Sequence, residues 1–167
     1  MNFGSSTDRF DLYIEKANRY LAHAEFLSQA AYVYHDALVV WLFYVAVQLT
    51  NAHQYRHTGD WFKSHGEAKS VLDPQTRRPS AQAWSLAAYA SYDSLQILSR
   101  VARYLASKPL VAYEPIGATE GDVWEAMQNL EVVLDYFISK YPAALLAHVH
   151  IQTSLATRPL AHLHQSA

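Results

Sequence analysis

The chain contains no cysteine. That absence removes disulfides, iron–sulfur clusters, thiolate-ligated zinc and thiol nucleophiles together, since each needs a sulfur the chain does not carry. Glycine is scarce at 5 residues and proline at 6, so no glycine-rich phosphate loop is present and few positions force a helix to break. Charged residues make up only 17% of the chain against 51% apolar, a balance that supplies a core and excludes disorder over most of the length. Neither sign of charge dominates. Thirteen Lys and Arg oppose 15 Asp and Glu for a formal charge of −2, so no global field gathers nucleic acid and a polyanion site has to be a local patch. The longest apolar run, Ala37 to Val47, has eleven residues, whereas a bilayer span needs about 20. Met1 to Asp11 lacks the basic and apolar regions of a secretory signal. These readings give no membrane association and a cytoplasmic location by default.

The residues that are present read as one domain of helices, at 167 residues in all. From Phe10, apolar or small residues at Tyr13, Ile14, Ala17, Leu21, Ala24, Leu27 and Ala31 keep the spacing of one helical face, with Asp11, Glu15 and Arg19 on the other. A second helix, capped by Asp36, runs to about His57, ends at Gly59 and is apolar nearly all round, which places it in the middle of a bundle. Ser64 and Glu67 form a capping box for a short third helix to about Leu72. After a loop with paired Arg77 and Arg78, Ser80 caps a fourth helix to about Ser107, its apolar stripe running through Trp84, Ala88, Ser91, Leu95, Leu98 and Ala102. Thr119 with Asp122 caps a fifth, carrying Trp124, Met127, Leu130, Leu134, Phe137, Ile138 and Tyr141 inward until Pro142. The expected architecture is all-α: an antiparallel bundle of about five helices over 8–141, then an extension over 142–167 that is partly helical before a mobile tail. No strand-like alternation stands out.

Two polar lines interrupt the apolar pattern. On the fourth helix Tyr89, Asp93, Gln96, Arg100, Arg103 and Tyr104 gather opposite the packing stripe. Arg100 and Arg103 stand one turn apart, a geometry that can hold a phosphate between two guanidinium forks, with Asp93 able to orient one of them. The ribbon is either a solvated face or, given its tyrosines, a binding cleft or subunit interface. On the second helix Tyr44, Gln48, Asn51 and Tyr55 recur at helical spacing, as a core network or as the lining of a cleft. His65, in the first turn of the third helix, is a candidate neutral base or hydrogen-bond donor, or a loop residue packed on Trp61. His53 and His57 have the spacing of two metal ligands but no third, and no metal or other cofactor is implied.

The order of elements and several strings resemble the HEPN family over about Asp11 to Tyr141. The strings are Asp36 followed by Trp41, Phe43, Tyr44 and Ala46, then Ser64-His65-Gly66-Glu67, then Tyr92, Leu95, Ser99-Arg100 and Ala102-Arg103-Tyr104. The resemblance implies a helical bundle that forms a homodimer and acts in RNA cleavage, toxin–antitoxin or defence systems. Its ribonuclease members use Arg, four to six further residues and then His. Neither Arg100 nor Arg103 has a His at that distance, and the literal match, Arg158 to His164, lies in the tail. The leading expectation is binding of RNA or a nucleotide phosphate, with Arg100, Arg103 and His65 as the catalytic set if metal-independent cleavage occurs, and Tyr44, Gln48, Tyr89, Asp93 and Tyr104 as ligand contacts. The alternatives are a protein-interaction module that partners a toxin or nucleotidyltransferase, and a small-ligand cleft between the second and fourth helices.

Overall fold

The computed structural model describes residues 8–29, 34–103, 117–153 and 163–166, the last four by their backbone. Five helices hold most of them: α1 (Arg9–Ser28), α2 (His35–Thr58), α3 (His65–Leu72), α4 (Leu86–Arg103) and α5 (Glu120–Lys140), followed by strands β1 (Val149–Gln152) and β2 (Leu163–Ser166). The chain therefore forms the expected all-α bundle. Leu38, Val39, Leu42, Phe43, Val45, Ala46, Leu49 and Ala52 are all fully buried. Consecutive residues such as these point in different directions around a helix, so α2 must be enclosed, and it packs on α1, α4 and α5.

The helix boundaries follow local chemistry in most places. Gly59 closes α2 in the left-handed region at φ 76°, its N–H bonded to the Tyr55 carbonyl. Thr119 and Asp122 make the reciprocal cap of α5. At α3 Ser64 accepts from the Glu67 N–H as expected, but the Glu67 carboxylate reaches the Lys63 N–H one residue further back. Two expected caps act elsewhere. Asp36 leaves the start of α2 without a side-chain cap and accepts from the Ala118 N–H, tying that end of α2 to the approach to α5. Gly117 sits against this carboxylate at φ 120°, where an added Cβ would lie 2.8 Å from Asp36 Oδ2, so both backbone conformation and space require glycine. Ser80 donates to the Val71 carbonyl, and the Trp84 N–H bonds the Leu72 carbonyl. These bonds hold 80–84 against the end of α3, and α4 starts at Leu86 with Ser85 accepting from the Ala88 N–H.

The described part of the extension is not helical. Residues 143–153 form no helix; Val149 and Ile151 turn inward while His150 and Gln152 turn outward, and β1 pairs in parallel with β2. This period-two burial selects a strand. Polar side chains of α1 secure it: Glu25 accepts from the His150 N–H, Ser28 from the Gln152 N–H and Asn18 from the Ala147 N–H. Side chains at 104–116 and 154–162, including the end of the expected fourth helix, lie outside the described residues.

Among the described residues the core contains one histidine. His53 is 3% exposed; its Nε2 lies 3.0 Å from the Gln82 carbonyl and its Nδ1 2.9 Å from the Tyr141 hydroxyl. A carbonyl only accepts, so Nε2 carries the proton and Nδ1 accepts from Tyr141. Both nitrogens are thereby engaged, which leaves His53 no lone pair for the metal-ligand spacing it makes with His57. Burial, with the nearby His57 and Lys140 adding to it, pushes the His53 pKa down to about 4. Between pH 6.5 and 4 the unfolded chain takes up a proton that folded His53 refuses, so stability is full above this window and falls with pH through it. The loss amounts to about 3 kcal/mol at ~1.4 kcal/mol per pKa unit. Urea unfolding at pH 7 and pH 4 should show this difference in the native chain and a correspondingly smaller one in His53→Gln.

Candidate functional site

The polar ribbon of α4 lies along α3. Lys69 forms an ion pair with Asp93, the charges of Asp73, Lys69 and Asp93 all act on Tyr89, and the charge of Arg100 acts on Lys69. Near the other end of the seam the Arg103 charge acts on His65. Later residues of α4 thus meet earlier residues of α3, and the ribbon faces a neighbouring helix. The exposed part of α4 includes two large apolar residues, Leu86 and Ile97, each 54% exposed, together with Arg100.

Arg103 is held in a defined pose. Its Nε donates to the Ser99 carbonyl at 3.1 Å and its Nη1 lies 3.5 Å from the Tyr44 hydroxyl. The guanidinium stands 5.9 Å from the Phe43 ring centre and 6.0 Å from that of Tyr44. Aromatic faces attract a cation and restrict a long side chain that would otherwise sample many rotamers. Tyr44 is itself packed by Tyr20, Trp41 and Phe43, so the arginine rests on a supported wall. Arg100, one turn earlier, is exposed and forms no ion pair among the described residues.

His65 opens α3 half-buried, its ring 5.1 Å from that of Phe43. Burial lowers its pKa first and the Arg103 charge lowers it further, so the imidazole is neutral near pH 7 and retains a basic nitrogen. It also lines a pocket of about 270 Å³ with Thr50, Lys63, Ser64 and Tyr92. Burial raises the pKa of Tyr92, which keeps that phenol protonated at neutral pH. A neutral base beside a fixed guanidinium, with a second guanidinium exposed to solvent, is an arrangement able to receive a phosphate and move a proton on it.

The structure thus gathers Arg103, His65 and Tyr44, places Arg100 beside them on the seam, and sets Asp93 and Tyr89 further along it. Gln48 faces elsewhere, lining a recess with residues of α1, and Tyr104 lies outside the described residues. Sequence reasoning missed Phe43 as the platform shared by His65 and Arg103, and Lys69 as the partner of Asp93. Lys69 stands four residues after His65, on the same helical face, which is the signal that was there to use. Among the described residues no group of three or more His, Asp or Glu converges as a metal site.

Comparison of the chain with protein-family models, with curated proteins and with solved structures found no match. Replacing Arg103 by Gln removes one of the two influences on His65 and keeps the other. The His65 pKa should therefore rise toward, without reaching, the ordinary value near 6.5, and an NMR titration of its ring protons checks this.

Proposed function

We propose that the chain binds a phosphate group of RNA or of a nucleotide at the end of the α3–α4 seam, as a HEPN-like bundle. The observation that carries this reading is the proximity of Arg103 to His65, close enough for the guanidinium charge to depress the imidazole pKa. Arg103 is already oriented by Tyr44 and Ser99, so little conformational entropy remains to be lost when an anion arrives. Arg100 adds a second, exposed cation about 4.5 Å further along the helix axis.

Replacing both arginines by alanine should abolish RNA binding while the helical circular dichroism is retained. For RNA, the slope of log affinity against log salt should also fall by about 0.7 per lost phosphate contact on a single strand. Unchanged affinity with an intact fold rejects the reading. Where cleavage accompanies binding, His65 takes the proton of a ribose 2′-hydroxyl, the 2′-oxygen attacks phosphorus, and the bond to O5′ breaks. The products are a 2′,3′-cyclic phosphate and a 5′-hydroxyl that receives the proton back, with Arg103 stabilising the charged phosphorane. Such cleavage should survive chelator and be lost in His65→Ala.

A second reading rests on the apolar outer face of α4. Leu86 and Ile97 are large and exposed and lie on one side of α4, about three turns apart, the kind of surface that a second copy of the chain or another protein covers. In this reading the bundle is an interaction module or a homodimer. Ile97→Lys should then convert a dimer to a monomer in sedimentation velocity, and a monomeric native chain overturns the dimer.

A further inference from the structure

Gln48 draws attention to a second site. It is 8% exposed on helix α2, yet its amide atoms are not shut away from solvent and open onto a recess. An amide that reaches solvent at the wall of a recess offers a ligand both a donor and an acceptor. This one lines a recess of about 390 Å³ between α1, α2 and the loop that joins α2 to α3, a size suited to a small organic ligand.

The rest of the lining defines the ligand's chemistry. Arg9 and Lys16 project from α1, and no carboxylate joins them in the lining. They are seven residues apart, hence about 10 Å along the axis on one face of the helix, and their long side chains can converge on one group. The acids nearby are occupied elsewhere: Asp60 is paired with Lys63, Asp8 with Arg56 and Glu15 with Arg19. Tyr13 and Trp61 contribute flat walls, Trp61 remaining 40% exposed. Arg9 lies 5.5 Å from the Trp61 ring centre and Lys16 lies 5.9 Å from that of Tyr13, so each cation is already paired with an aromatic surface.

We propose that this recess binds a small anion built on a flat ring, its carboxylate or phosphate held by Arg9 and Lys16 and its polar ring substituents read by Gln48. The site is separate from the α3–α4 seam and does not depend on it. Aromatic carboxylates and nucleoside monophosphates share this chemistry.

Isothermal titration with indole-3-acetate and with nucleoside 5′-monophosphates, inorganic phosphate serving as control, tests the proposal. At least one ring anion should bind with Kd below about 1 mM, and inorganic phosphate should bind at least about tenfold more weakly. Which ring anion binds identifies the source of the ligand. Arg9→Gln and Lys16→Gln should each weaken binding about tenfold, the usual scale of one charge-assisted hydrogen bond. Gln48→Leu supplies a readout that a merely structural role does not give: the ligand-free protein should keep its thermal stability, because an apolar side chain of similar size replaces the amide on an enclosed helix, while affinity falls. The variant with both Arg100 and Arg103 replaced by alanine should bind the ring anion as the native chain does. Failure of every ring anion to bind, binding that matches inorganic phosphate, undiminished binding in Arg9→Gln and Lys16→Gln, or loss of binding in the Arg100 and Arg103 variant overturns the proposal.

Discussion

The enclosure of α2 along most of its length is the constraint from which the other features follow. A helix enclosed by α1, α4 and α5 has no solvent to satisfy its polar side chains, so each of them must find a partner in the protein or carry a desolvation penalty of about 1–3 kcal/mol. The partners it finds tie distant segments together. His53 joins the Gln82 carbonyl before α4 to Tyr141 after α5, Asn51 accepts from the Phe62 N–H, and Asp36 holds the turn that leads into α5. Connections that a bundle would otherwise leave loose are thereby pinned to its central rod. Gln54 Oε1 is left without a partner among the described residues, and Gln48 lies where a recess opens.

The same rod prepares the seam. Phe43, fully buried, touches both the His65 ring and the Arg103 guanidinium, so the spacing of these two groups is set by packing in the core and not by the loop that carries His65. The short helix α3 could not hold that spacing alone, since eight residues are too few for an isolated helix in water. It is fixed at its far end by the bonds from Trp84 and Ser80, and along its side by Lys69 and Asp93.

Legibility from sequence followed the range of the interaction. The helices were readable because apolar spacing is a local pattern, and Gly59, Ser64 and the pair Thr119 and Asp122 were readable because a cap acts within a few residues. Ser80 and Ser85 are equally good caps by composition. What chose Ser85 was the bond from Trp84 to Leu72, which no local rule contains. Asp36 had a local role available and took one 82 residues away. The strand at Val149–Gln152 alternates over only four residues, too few to stand out in a histidine-rich segment. At the site, the residue types and the one-turn spacing of the arginines were visible, whereas the direction of the ribbon was not. A polar stripe opposite an apolar stripe faces water unless a further helix covers it, and α3 does so here.

Asn51 links the two recesses physically. It lines the pocket that contains His65 and also the one that contains Gln48, and its carbonyl oxygen is taken up by Phe62. The wall between the two is therefore the segment around Trp61, Phe62 and Lys63. It is braced on one side by Phe62, buried in the core, and on the other by Lys63, which binds both Asp60 and the Trp61 ring. A wall fixed at both surfaces keeps the recesses distinct in shape even though one α2 side chain borders both. The recess beside Gln48 has Arg9 and Lys16 of α1 in its lining, and the pocket beside His65 has Lys63. The two proposed sites are compatible on a bundle this small, because neither draws on the other's charges.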